Sequence, residues 1–247
     1  MKIDLAALFG DAWRMFRRDR DVLLPVAGLF IFLPQLAVML LVPPSPEMPA
    51  GSDAQAASAW IDAMVNWYSA HGVPLLAADL AALWGGLTIV VSYLDRTRPD
   101  LAGALQTALL LLPRYILATL LETLMVFVGL ALFLLPGLYL QGRFLLVGSA
   151  IVAERPLGAV ASLGRSFALT RGNGLILGVL AAAMLFGGSL LASPFLALGD
   201  TLDRAPIANP ISAALLSAAA SAVLAAVALA TVLLRVALYR RLTSNGI

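Results

Sequence analysis

The stretch Glu154 to Gly174, ERPLGAVASLGRSFALTRGNG, decides how the chain is read. On a helical wheel Leu157, Val160, Ala161, Gly164, Phe167 and Ala168 fall on one side, and Ser162, Arg165, Ser166 and Thr170 on the other. The segment breaks at Gly172-Asn173-Gly174 and runs directly into a long apolar segment. A short amphipathic helix that carries arginines and ends at an apolar run of spanning length is expected to lie in the plane of a membrane interface. The Gly-Asn-Gly triplet most simply ends this helix and turns the chain into the next; a phosphate-binding nest there is the second reading.

Composition agrees with a membrane setting. Of 247 residues, 61% are hydrophobic and 12% charged, against roughly 45–50% and 25% in soluble domains. The charges sit in short islands, and Lys2 is the only lysine among the sixteen basic residues. That distribution does not suggest nucleic-acid binding. The absence of cysteine excludes disulfides and thiolate chemistry, and a single histidine, His71, leaves little material for a metal site. No cofactor is expected.

Outward from the central stretch, Asp4 to Phe16 repeats its pattern. Leu5, Leu8, Phe9, Ala12, Trp13, Met15 and Phe16 share one face, and Asp11, Arg14, Arg17 and Arg18 the other. Uncharged Val22 to Val42 then supplies about the length that crosses a hydrocarbon core of roughly 30 Å. Residues 43–74 contain no lysine or arginine and read as an outer loop in which Trp60, Met64, Trp67 and Tyr68 form an interfacial aromatic face. Lone His71 falls at its boundary.

Leu75 to Leu94 is the second span. A third in-plane helix is expected from Asp100, a natural N-cap, before the third span Tyr115 to Leu135. Pro136-Gly137 is expected to break that span, and Leu138 to Ala153, which contains Arg143, to cross as the fourth. The fifth and sixth spans are about Leu175 to Leu198 and Ile211 to Tyr239, separated by an outer loop holding Asp200, Asp203 and Arg204. In the sixth, Ala214, Ala218, Ala222, Ala226 and Ala230 form a small-residue stripe suited to close helix packing.

The expected fold is therefore all-α: a polytopic membrane protein with six transmembrane helices and three in-plane amphipathic helices. The whole chain, 1–247, forms one membrane domain. Aligning Phe9 to Trp13 with Leu163 to Phe167 also places Met15 on Leu169 and Arg17 on Arg171, which suggests a threefold repeat over residues 1–94, 95–153 and 154–247. Because Arg204 is the only basic residue in an outer loop, the positive-inside tendency puts both termini in the cytoplasm.

Two sets of residues are candidates for function. Arg14, Arg17, Arg18, Arg165 and Arg171 could meet anionic lipid headgroups, at about 1 kcal/mol each near such a surface. Asp79, Glu122, Arg143 and Arg235 fall within or close to the hydrocarbon, where a charge needs a partner, a polar cavity or the interface. At about 1.5 Å of rise per residue, Asp79 and Arg143 share one depth near the outer face, and Glu122 and Arg235 another near the inner. Two pairs are therefore open to the chain, read either as helix-fixing ion pairs with Arg235 snorkelling to the interface or as a polar path or headgroup site inside the bundle. No Ser-His-Asp set, metal cluster or phosphate loop can be assembled.

The run Leu135-Pro136-Gly137-Leu138-Tyr139-Leu140 with Arg143, followed by Glu154 and then Arg165 to Asn173, resembles the bacterial glycerophosphoryl diester phosphodiesterase membrane-domain family and related YciC-like inner-membrane proteins. Leu238 to Leu242 is similar to that family's ending. The resemblance implies an all-helical domain of the bacterial inner membrane. The family's name comes from members fused to a soluble phosphodiesterase barrel, and no region of this chain could form one.

The leading expectation is a non-enzymatic inner-membrane protein that interacts with anionic lipid or scaffolds an envelope protein partner. The alternative is a transporter or flippase that moves a small or amphipathic solute through a polar bundle interior. An intramembrane enzyme is the third reading.

Overall fold

The computed structural model describes residues 3–49, 51, 54–203 and 210–244, except for the side chains of Asp200 and Asp203. Asp53 and Arg204, which the sequence places in outer loops, lie outside the described residues. Nine α-helices and one π-helical turn are described: α1 Leu5–Ala27, the π turn Gly28–Phe32, α2 Leu33–Leu41, α3 Ala54–Leu94, α4 Leu101–Leu132, α5 Leu134–Arg143, α6 Val147–Ala153, α7 Ala159–Leu169, α8 Gly174–Asp203 and α9 Pro210–Ser244. Six helical units are long and apolar enough to cross a membrane, with α1 to α2 and α5 to α6 each acting as one. They close into a ring in which α9 packs on α8, α8 on α5, α5 on α4, α4 on α3, and α3 on the π turn and α2, which return to α9.

Several boundaries differ from the sequence reading for identifiable reasons. Only α7 is separate from a span. The expected helix from Asp100 is the first part of α4, and Asp100 caps it by accepting from the Gly103 N–H at 2.9 Å. The arginine-bearing helix near the N-terminus continues into the first span through one non-helical residue, Asp19, at φ −115° and ψ 17°. Much of the outer loop is helical too. α3 has 41 residues, about 60 Å at 1.5 Å each, twice a hydrocarbon core. Its first half carries the segment before it, as Trp60 and Trp67 donate to the carbonyls of Pro46 and Pro43, both at 3.1 Å. His71 stays local, with Nδ1 at 3.0 Å from the Trp67 carbonyl.

The break after the third span falls at Phe133, not at Pro136-Gly137. Pro136 sits in the first turn of α5, where its missing N–H costs little. Gly137 allows the hairpin to be tight, because a Cβ there would collide with the Leu130 side chain.

The alanine stripe of α9 also faces the other way. Ala222, Ala226 and Ala230 are exposed, and the buried face of α9 is Ala225, Leu229, Leu233, Val236 and Ala237. α5 and α8 approach backbone to backbone, where Gly142 leaves no room for a Cβ against Leu177 and Gly178.

Candidate functional site

Arg143 ends α5 inside the protein with only 3% of its surface exposed. Its NH1 donates to the Thr170 carbonyl at 2.8 Å and its NH2 to the Phe167 carbonyl. The guanidinium carbon sits 3.8 Å from the centre of the Phe167 ring. Those carbonyls belong to the last turn of α7, so the cation meets the negative end of that helix dipole. The contact is reciprocal. Ser166 Oγ donates to the Arg143 carbonyl at 2.8 Å, Thr170 Oγ1 approaches it at 3.2 Å, and the Leu146 N–H donates to Ser166 Oγ at 3.1 Å. The interrupted backbone between α5 and α6 is thus satisfied by side chains of α7, which is how broken helices persist at membrane depth.

This arrangement corrects the expected pairing of Asp79 with Arg143. Asp79 is exposed and forms no ion pair with another described residue. The other expected pair is also open. Glu122 lies within electrostatic reach of Arg235, yet no ion pair within 4.0 Å joins them, and the Nε of Arg235 is buried without a hydrogen-bond partner. Asp79 and Arg235 instead line one half-open cavity of about 590 Å³ between the helices.

The orientation of α7 is equally informative. Its buried residues are Ala159, Ser162, Leu163 and Ser166, followed by Thr170, while Val160 and Phe167 are exposed. The serine and threonine face turns into the protein and the apolar face turns out. Its Gly172 adopts φ +81°, and the turn's own amides are used, Arg171 N–H on Ala168 O at 3.2 Å and Asn173 N–H on Thr170 O at 3.1 Å. The triplet is a helix stop, and its Asn173 amide is already spent on that turn.

At the end of the bundle where α1 begins and α9 ends, acids tie neighbouring elements together. Asp11 accepts from Arg14 and Arg241, and Asp19 from Arg18 at 2.9 Å and the Tyr93 hydroxyl at 2.6 Å. Glu154 accepts from Arg165 at 2.7 Å and from the Tyr239 hydroxyl at 2.8 Å. Asp95 accepts from Arg155 and, at 3.0 Å, from both the N–H and the hydroxyl of Thr97. Burial pushes the Asp95 carboxyl up, but the donors of Thr97 and Arg155 outweigh it and hold the group below the usual carboxylate range.

Of the five arginines singled out for headgroups, Arg14, Arg18 and Arg165 are therefore engaged by acids. Arg17 and Arg171 are exposed and form no ion pair with another described residue.

Between α1 and α9 lie two depressions that the sequence reading did not find. One is a cleft of about 750 Å³ bordered by Arg14, Arg17, Arg18, Arg240 and Arg241, with Asp11 the one acid. The other is an apolar groove of about 580 Å³, walled by Phe9, Trp13, Phe16 and Phe32 and floored by Ala222, Ala226 and Ala230. They meet the two opposite faces of the amphipathic first half of α1. A neighbouring cleft of about 700 Å³ shares Arg18 and Arg240 and adds Arg98. The signal in the sequence was the Arg240-Arg241 doublet, which reads as a topology marker until α9 brings it beside Arg14, Arg17 and Arg18.

Among the described residues no group of three His, Cys, Asp or Glu side chains converges as metal ligands would. Compared with family models, curated proteins and solved structures, the chain matches none.

Proposed function

We propose that the protein is a non-enzymatic multi-pass protein of the bacterial inner membrane that binds anionic phospholipid on its cytoplasmic side. One observation carries this reading: α1 and α9 present an apolar groove and a five-arginine cleft on opposite faces of the same amphipathic helix. An acyl chain suits the groove, whose wall is almost wholly carbon, and a phosphate suits arginine forks that Asp11 neutralises only in part. The resemblance to the phosphodiesterase membrane-domain family supports the inner-membrane location, and the positive-inside tendency supports both termini in the cytoplasm. The arginines at one end of the bundle support the same orientation. Lipid held there also gives the protein a surface on which an envelope partner could assemble.

The test is lipid retention by the purified protein, read by native mass spectrometry after equilibration with mixed phosphatidylglycerol and phosphatidylcholine. At about 1 kcal/mol per arginine near an anionic surface, replacing Arg17, Arg18 and Arg240 with glutamine should reduce the preference for phosphatidylglycerol on the order of a hundredfold. Arg171→Ala should give a smaller loss. An unchanged preference in the triple variant removes the lipid role. Ala226→Phe fills the groove and should lower total retention without changing the headgroup preference.

A second reading, passage of a small or amphipathic solute, is favoured by the half-open cavity that holds Asp79 and Arg235.

A further inference from the structure

The half-open cavity that Arg235 lines is bounded by α3, α4, α5, α6, α8 and α9, and it is separate from the α1/α9 groove, with which it shares no residue. Arg235 is its one cation. The other intramembrane guanidinium, Arg143, shows how this fold satisfies such a group for structural purposes, with two carbonyls and an aromatic face. Arg235 has no such carbonyl pair or ring, and its side-chain hydrogen-bond neighbour is the Tyr115 hydroxyl, on the same cavity. It forms no ion pair with another described residue, and its Nε, like that of Arg143, is buried without a partner.

Asp79 is too far away to serve. Gly86 of α3 faces Val232 of α9, and the two helices run in the same direction, as the contact of Arg240 with the Tyr93 carbonyl also shows. Seven residues separate Asp79 from the level of Gly86 in one direction, and three separate Arg235 from it in the other, about 15 Å in all at 1.5 Å per residue. Glu122 is the nearest acid, but it stands beyond ion-pair distance and is not among the residues lining the cavity. A charge at membrane depth without a partner is costly, and such residues mark substrate and ion sites.

We propose that the cavity binds an amphipathic oxyanion, a carboxylate or phosphate monoester whose charged group is held by Arg235. A guanidinium fork matches two oxygens of such a group. Gln141, Ser149 and Ser189 line the same cavity and supply further polar contacts, while Thr119 and Thr231 spend their hydroxyls on carbonyls one turn back, at 2.9 and 2.8 Å. The rest of the wall, including Met184, Leu224 and Val227, is apolar and takes the ligand's body. The inference gives the solute-passage reading a ligand class, but binding does not require transport, and it is independent of lipid at α1 and α9.

The experiment is calorimetric titration of the full-length protein in a neutral maltoside micelle with octanoate, octyl phosphate and inorganic phosphate. Octanoate or octyl phosphate should bind, and inorganic phosphate at least tenfold more weakly. Arg235→Gln should weaken binding at least tenfold, while the triple arginine variant of the α1/α9 cleft leaves it unchanged. Phosphatidic acid in nanodiscs that competes with octyl phosphate identifies a lipid as the source of the oxyanion, and failure to compete identifies a soluble ligand. Affinity within twofold of the parent in Arg235→Gln overturns the proposal. Should that variant fail to purify as a monodisperse species, Glu122→Gln decides: removing the nearest acid should tighten binding at least threefold, and unchanged or weaker binding overturns it.

Discussion

Replacing Arg143 with leucine tests whether the fold depends on the junction of α5, α6 and α7. The substitution keeps an apolar side chain of moderate size and deletes the guanidinium and its bonds to the Phe167 and Thr170 carbonyls, which keep the Thr170 hydroxyl and the Asn173 N–H as donors. Each lost bond to the charged group costs about 1.5–3 kcal/mol, and loss of the contact with the Phe167 ring adds up to about 2 kcal/mol. Against this, the protein no longer keeps a charge out of water, a relief of several kcal/mol. The net loss should be about 2–4 kcal/mol. For a chain of 247 residues, that corresponds to roughly 5–15 °C in midpoint, at 2–4 °C per kcal/mol. Thermal unfolding in micelles, followed by circular dichroism, reads it.

Double-mutant cycles then locate the partner. Ser166 accepts from the Leu146 N–H and donates to the Arg143 carbonyl, so Ser166→Ala and Arg143→Leu should couple by at least about 0.5 kcal/mol, as residues in one network do. Asp79→Asn and Arg143→Leu should be additive. Coupling above about 1 kcal/mol between positions 79 and 143 would refute the reasoning and restore the ion pair expected from their shared depth.

Asp95 predicts a pH dependence. Its folded carboxyl titrates below its unfolded value, so the folded state favours the charged form. The resulting stabilisation is complete above the unfolded pKa of about 3.9 and is lost as pH falls through the lower folded value. The stability gap between the parent and Asp95→Asn should be about 1–3 kcal/mol at neutral pH, the cost of replacing the charged oxygen that accepts from Arg155 with an amide NH2, and should close only below about pH 4. A gap that closes between pH 5 and 6 would contradict this. Glycines provide a control on packing. Gly142→Ala forces α5 away from α8 and should cost about 1–3 kcal/mol or more by overpacking. Gly187→Ala meets nothing within 4 Å and should be neutral or stabilise by up to about 1 kcal/mol. Parallel midpoints for the two variants would remove the close approach of α5 and α8.

The six apolar spans were legible because hydropathy needs no partner to be read, and so was the Asp100 cap, which acts within its own first turn. What escaped depends on which way a face turns. In water an amphipathic helix buries its apolar side, and Ser162, Ser166 and Thr170 look like a solvent face. Beside a lipid phase the apolar side can stay outside, and all three turn inward, where Ser166 and Thr170, four apart, become the donors that mend the break after Arg143. The alanine stripe of α9 misled for the same reason: small residues permit close packing but do not require it, and here they floor a groove open to lipid-facing side chains of α1. Pairing intramembrane charges by depth failed because depth ignores azimuth, and because a backbone carbonyl at a helix end is as good a partner for arginine as a carboxylate.

That last point bears on function. Four intramembrane ionisable residues looked equivalent, but the structure uses Arg143 to hold three helices together. Removing it from consideration leaves Asp79, Glu122 and Arg235, none of them in an ion pair with another described residue. A bundle that needed only helix-fixing pairs could have brought Glu122 within bonding distance of Arg235, since the two already share a neighbourhood. Keeping them apart beside a cavity of about 590 Å³ leaves there a guanidinium that no carboxylate among the described residues pairs with.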